Sequence, residues 1–177
     1  MRSALSTFRI MANSNAGKNS APNHINFTLS NPVQFLALGF GSGLAPKAPG
    51  TFGTLAAIPF FYFMSSLSVG LYATVVVVMT IVGVYLCGKA ADDVGVHDHP
   101  AIVWDEIVGY LITMWMIPWS WHAVLLGFIL FRIFDIFKPW PISYLDKHCH
   151  GGLGIMLDDV LAGFAALLCL HLIYAYI

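Results

Sequence analysis

Charged residues are scarce in this chain, and their placement is the strongest constraint on its fold. Its 177 residues include eight Lys and Arg and nine Asp and Glu, while 58% of the residues are hydrophobic. Soluble domains are usually about 25% charged and roughly 45–50% apolar. The composition therefore predicts an integral membrane protein, in which a charge at membrane depth is costly and usually functional.

Five apolar stretches predict an all-α fold, a polytopic membrane helical bundle with about five membrane helices. They are Thr54–Leu67, Leu71–Cys87, Ile107–Pro118, His122–Phe137 and Val160–Ile177. Thr54 is the expected N-cap of the first of them. Pro32–Leu44 is shorter than the roughly 17–25 residues of a membrane span, so it predicts a short N-terminal surface or re-entrant helix.

The turns between these helices differ in charge on the two sides of the predicted bundle. If the helices alternate in direction, the turns at 65–70 and 118–121 and the C-terminus share one side, and none of them holds a charge. The Lys and Arg residues fall on the other side, which is predicted to be cytoplasmic because cytoplasmic loops carry the basic excess.

The N-terminal residues differ in composition from the rest of the chain. Residues 1–30 contain Arg2, Arg9 and Lys18, no acid, and many Ser, Asn and Ala. They are predicted to form a disordered N-terminal tail, which leaves residues 31–177 as a single membrane-embedded domain. The net charge of −1 and the lack of a basic stripe predict no nucleic-acid partner.

Carboxylates cluster at the ends of the predicted helices and indicate a metal site. They are Asp105, Glu106, Asp135, Asp158 and Asp159. Carboxylates that share one level repel each other, and an oxygen-only set favours Mg²⁺ over Zn²⁺. Two alternatives stay open: acidic residues in a first turn stabilise the helix dipole, and Asp135 could simply pair with Arg132 or Lys138.

Cationic side chains near the same level predict phosphate binding. Arg132, Asp135 and Lys138 recur every three residues along one helix face, and Arg presents a planar fork that suits phosphate. Cations at a helix C-terminus can also simply complement its dipole. Further candidates for substrate contact are Lys47, Thr51 in the glycine-containing turn 50–54, and His150.

Several motifs together resemble the bacterial phosphatidylglycerophosphatase A family across residues 31–177. They are GFGSGL from Gly39, PGTFGTL from Pro49, GVHDH from Gly95, VWDEIVG from Val103, FRIFD from Phe131 with KPWPI from Lys138, and HGGLGIMLDD from His150. Thr54 stands where the family has Ser, and Thr keeps the hydroxyl group.

The resemblance implies a Mg²⁺-dependent phosphatase in the bacterial inner membrane, with its active site at the cytoplasmic face. Its expected substrate is phosphatidylglycerophosphate, which would be hydrolysed to phosphatidylglycerol and phosphate. Asp105, Glu106, Asp135, Asp159, Arg132 and Lys138 are then the predicted catalytic residues. The alternatives are a cation or proton transporter with a carboxylate-lined site and a lipid phosphotransferase.

Overall fold

The computed structural model describes residues 7–11, 24–96 and 99–176 of the chain, and it is mostly helical. His97 and Asp98 of the resemblance motif lie outside these residues. The helices are α1 (Pro32–Ala37), α2 (Pro49–Met64), α3 (Val69–Val94), α4 (Trp104–Thr113), α5 (Trp121–Phe137), α6 (Ile142–His148) and α7 (Gly151–Tyr176).

Two short strands occupy part of the N-terminal segment. β1 (Thr7–Met11) pairs antiparallel with β2 (His24–Thr28). Phe27 of β2 is fully buried with Leu38 and Ala101. Residues 24–28 of the predicted tail thus pack onto the helical body through this one large apolar side chain. The division of the chain at residue 30 stays a prediction.

The predicted short N-terminal helix Pro32–Leu44 divides into two pieces, α1 and a 3₁₀ segment at Gly39–Leu44. Asn31 caps α1 by accepting a hydrogen bond from the Val33 N–H at 3.0 Å. Gln34 donates to Asp93 Oδ2 at 3.2 Å, which anchors α1 to the last turns of α3.

α2 begins at Pro49, a full turn earlier than the sequence predicted. Proline is favoured in the first turn of a helix, where its missing N–H costs nothing. Thr54 lies inside the helix, and its hydroxyl donates to the Gly50 carbonyl at 2.9 Å. The predicted N-cap role of Thr54 is therefore wrong, since its hydroxyl donates to a carbonyl inside the helix and does not accept from a free N–H.

α4 is the central helix, and every residue in it except Glu106 is buried. It packs against α2, α3, α5 and α7. The Tyr72 hydroxyl donates to the Leu111 carbonyl at 2.7 Å, so the end of α4 lies beside the start of α3. The beginning of α4 lies beside the middle of α3, where the Trp104 indole N–H donates to the Met79 carbonyl at 3.1 Å.

α7 also begins earlier than predicted, at Gly151 rather than Val160. Its first turn crosses α3 closely: a Cβ on Gly152 would lie 1.8 Å from the Val84 carbonyl oxygen. Small residues permit such backbone contact between helices. Asp158 and Asp159 therefore lie roughly two turns into α7, and the helix-dipole explanation does not apply to them.

Two helices, α3 and α7, are long and apolar enough to cross a membrane, with 26 residues each. α2 has 16 residues, α5 has 17 and α4 has 10. The mainly helical fold is confirmed, and the two apolar helices indicate membrane association. The number of five membrane helices stays a prediction.

Candidate active site

A group of three carboxylates lies between α4 and α7. Asp105 and Glu106 come from the first turn of α4, and Asp159 comes from α7. One carboxylate oxygen of each residue lies within 4.8 Å of those of the other two. We call these three residues the carboxylate group.

Glycines set the distance between the two helices that carry this group. A Cβ on Gly163 of α7 would lie 2.5 Å from the Gly109 carbonyl oxygen of α4. The Thr113 hydroxyl bonds to the Gly109 carbonyl at 3.0 Å and lies 3.4 Å from that of Gly163. This close contact brings Asp159 opposite the first turn of α4.

Two oxygens of the carboxylate group are buried with no hydrogen-bond partner among the residues that the structure describes. They are Glu106 Oε2 and Asp159 Oδ1. A buried acceptor without a partner costs free energy, so these atoms fit a site that a cation completes. Burial, followed by the charge of Asp159, raises the pKa of the Glu106 carboxyl to about 8.

Arg132, near the end of α5, lies beside the carboxylate group. Its guanidinium pairs with Asp135 one turn later. A Cβ on Gly50 would lie 2.3 Å from Glu106 Oε1 and 3.0 Å from Arg132 Nη1. The first turn of α2 thus touches both a carboxylate and the cation next to it.

Lys138 forms a second cationic point at the end of α5. Its backbone is left-handed, with φ 40°, and its ammonium group donates to Asp146 Oδ1 of α6 at 2.7 Å and to Asp158. Burial alone would lower the pKa of Lys138, but these two partners outweigh it and raise the pKa. Asp158 Oδ1 in turn accepts the Asp159 N–H at 3.1 Å.

The five predicted metal ligands lie in two arrangements. Asp105, Glu106 and Asp159 form the carboxylate group, whereas Asp135 and Asp158 pair with the cations Arg132 and Lys138. Asp135 thus forms the ion pair with Arg132 and also a side-chain hydrogen bond with Asp159, so its role as a metal ligand stays a prediction. Its charge still acts on the group, since it contributes to the raised pKa of Glu106.

The other predicted substrate contacts lie at the periphery. Thr51 is in the first turn of α2 and partly buried, Lys47 is exposed in the turn before α2, and His150 is exposed directly before α7. None of the three contributes to the carboxylate group among the described residues.

Two site features were not predicted from sequence. Asp146 is a partner of Lys138. Gly50 leaves room for Glu106 and Arg132, because a side chain at this position would collide with both. Asp146 follows Lys138 across two prolines, so no helical spacing links them. Its charge on the predicted cytoplasmic side was the one available signal.

Fold and site together define a helical protein with buried carboxylates flanked by Arg and Lys, a set of groups that could hold a metal ion beside a phosphate. The family model described as Phosphatidylglycerophosphatase A matches residues 35–174. The chain belongs to this family, which confirms the predicted family and the prediction that the protein is a phosphatase.

Two relatives carry the same name as the family. Phosphatidylglycerophosphatase A of Escherichia coli K12 is 54% identical over 138 residues, which cover 76% of this chain and 79% of that protein. Phosphatidylglycerophosphatase A of Haemophilus influenzae is 48% identical over 143 residues, covering 80% and 88% respectively. No solved structure matches the chain.

Proposed function

We propose that this protein is a Mg²⁺-dependent membrane phosphatase that hydrolyses phosphatidylglycerophosphate to phosphatidylglycerol and phosphate. The substrate follows from the names of the two relatives. The observation that carries the chemistry is the carboxylate group, with its partnerless oxygens on Glu106 and Asp159.

Asp105, Glu106 and Asp159 would hold Mg²⁺, because all their donor atoms are carboxylate oxygens. When bound, the ion supplies neutralisation of phosphate charge and a more acidic bound water. Asp135 and Asp158 support this site indirectly by fixing Arg132 and Lys138.

The cations would bind the phosphate of the substrate. The Arg132 guanidinium lies beside Gly50 and Glu106. A phosphate bound at the carboxylate group would therefore lie close to it. Lys138 has three N–H donors, of which two serve Asp146 and Asp158. Lys47, Thr51 and His150 are proposed as outer contacts of the headgroup.

The proposed reaction adds water to phosphorus and breaks the bond between phosphorus and the glycerol oxygen. The proton of water ends on the leaving alkoxide or the released phosphate. Positive charge that is fixed around the phosphoryl oxygens lowers the barrier, since it is in place before charge develops.

The proposed location is the bacterial inner membrane, with the site at the cytoplasmic face. The starts of α2 and α4 and the end of α5 meet at the carboxylate group, and the Lys and Arg residues of the turns are predicted to lie on the same side. Five membrane helices remain the proposed topology, supported directly by α3 and α7.

The test is phosphate release from phosphatidylglycerophosphate by the purified protein in detergent, with Mg²⁺ or with EDTA. Wild-type turnover that needs Mg²⁺ is expected, and Asp159→Asn and Asp135→Asn should each lower kcat/KM by about 100-fold or more. Asp92→Asn, an exposed acid on α3, is the matched control and should retain full activity.

Other outcomes would point to the competing functions. Transfer of the phosphoryl group to an added alcohol, with no free phosphate, would favour a lipid phosphotransferase. Ion flux into vesicles without any phosphate release would favour a transporter. The lack of charge in the turns at 65–70 and 118–121 argues against that function, because a transport path needs polar groups on both sides of the membrane.

A further inference from the structure

A cluster of aromatic side chains lies next to the carboxylate group and takes no part in the proposed chemistry. We call Phe35, Phe40, Phe60 and Trp104 the aromatic surface. The Phe40 ring stacks on Phe60 with centroids 5.5 Å apart, meets Phe35 edge-on at 5.6 Å and lies 6.2 Å from Trp104.

The backbone presents the Phe40 ring outward at an energetic cost. Phe40 has φ 60°, between Gly39 with φ 53° and Gly41 with φ 93°. A left-handed backbone is unfavourable for a non-glycine residue and is often found at functional sites. Since the ring remains 42% exposed, filling the core does not explain why Phe occupies this position.

The loop that carries Phe40 is fixed by close packing. A Cβ on Gly39 would lie 2.8 Å from Val103 Cγ2, and one on Gly43 would lie 2.1 Å from the Ala101 carbonyl oxygen. The loop is therefore held directly on the segment that leads into α4. Phe40 keeps a defined position relative to the first turn of that helix.

Trp104 connects the aromatic surface to both the site and the apolar part of the fold. It immediately precedes Asp105 of the carboxylate group. Its indole N–H donates to the Met79 carbonyl at 3.1 Å, in the middle of the candidate membrane helix α3. Trp104 thus joins the aromatic surface to the middle of an apolar helix and, through the backbone, to Asp105.

We propose that the aromatic surface binds the first part of an acyl chain of the lipid substrate, next to its glycerol backbone. This inference rests on the proposed function. A phosphatase that holds a lipid phosphate at the carboxylate group must guide the attached chain back into the bilayer. Aromatic rings offer a large apolar area for that purpose without a polar group that needs a partner.

The test compares Phe40→Gly and Phe60→Ala with wild type on long-chain and on dihexanoyl phosphatidylglycerophosphate. Phe40→Gly removes the ring and relieves the left-handed backbone, so folding should be preserved. We expect kcat/KM for the long-chain lipid to fall roughly tenfold in each variant. For the short-chain substrate it should stay within about twofold.

Phe63→Ala is the control, because Phe63 is on the same helix as Phe60 and is 72% exposed, outside the aromatic surface. It should leave both substrates unaffected. Equal losses on both substrates, or no loss on either, would overturn the acyl-chain site. Wild-type hydrolysis of the long-chain substrate tests the proposed function separately, and its absence would refute that function and this inference with it.

Discussion

At the scale of single residues, Glu106 shows a conflict between protein stability, which favours a neutral buried carboxyl, and the proposed metal binding, which needs an ionised one. Its carboxyl is buried beside Asp159, and its pKa is raised from 4.5 to about 8. The folded protein therefore holds this proton more tightly than the unfolded chain does. Below pH 4.5 both states are protonated, and between 4.5 and about 8 the unfolded state is increasingly favoured.

We therefore expect the metal-free protein to lose thermal stability as the pH rises through that range. In EDTA, Tm should fall by roughly 5–10 °C between about pH 5 and about pH 9, and Glu106→Gln should make this fall smaller. Mg²⁺ should restore Tm most strongly at the alkaline end, since it replaces the proton. Scanning calorimetry in detergent measures all three effects.

Asp92→Asn serves as the control and should keep the wild-type slope, because Asp92 is an exposed acid on α3. A metal-free Tm that rises with pH in wild type, or an unchanged slope in Glu106→Gln, would contradict the assignment of this buried proton.

Gly50 gives a steric prediction for the same site. A methyl group there would lie 2.3 Å from Glu106 Oε1, so Gly50→Ala must displace the carboxylate, Arg132 or both. Activity should drop about 100-fold, as expected for small misplacements of reacting groups. Phosphate release assays measure this effect.

Gly70→Ala is the matched control, since a Cβ on Gly70 meets nothing within 4 Å. It should retain activity. If Gly50→Ala were as active as wild type, the contact between α2 and the carboxylate group would not matter for activity.

Residue chemistry was more predictable than residue partners. Asp105, Glu106 and Asp159 could be selected from the sequence because acids beside apolar helices are costly and need a reason. The pairing of Lys138 with Asp146 could not, since it depends on how α6 folds back after two prolines.

At the scale of elements, α6 matters because it supplies Asp146 to Lys138. Asp146→Asn should leave the fold intact but loosen Lys138, lowering kcat/KM by about tenfold, while Asp146→Glu should recover part of the loss. A role limited to docking α6 would change Tm without changing kinetics. Measuring kcat, KM and Tm together on both variants separates these outcomes.

Helix starts were the least predictable part of the fold. The apolar runs of α3 and α5 indicated those helices well. The starts of α2 and α7 resemble turns in sequence because they contain Pro49, Gly50 and Gly151. In α7 the glycines serve close helix contact, as Gly152 does against Val84, and sequence spacing does not distinguish that use from a turn.

At the scale of the whole molecule, topology is the property to test. Cysteine labelling with a membrane-impermeant maleimide should modify Ser66→Cys and Ala175→Cys from outside spheroplasts. Lys47→Cys and Asp92→Cys should react only after lysis, because they lie on the predicted cytoplasmic side. All four positions are exposed.

The background for this experiment needs two replacements, Cys149→Ser and Cys169→Ala, while Cys87 can stay because it is fully buried. Labelling of all four sites from the same side would contradict the alternating arrangement of the helices.

The central position of α4 has a consequence for biogenesis. The helix is too short to cross a bilayer alone, it carries two acids, and its neighbours α5 and α7 follow it in the chain. During synthesis, the faces of α4 that pack against α5 and α7 stay uncovered until those two helices have been made. Asp159 comes with the later of them, so the carboxylate group is complete only after α7 has packed. With the proposed function, a nascent chain would gain its activity on lipid only at that last step of assembly.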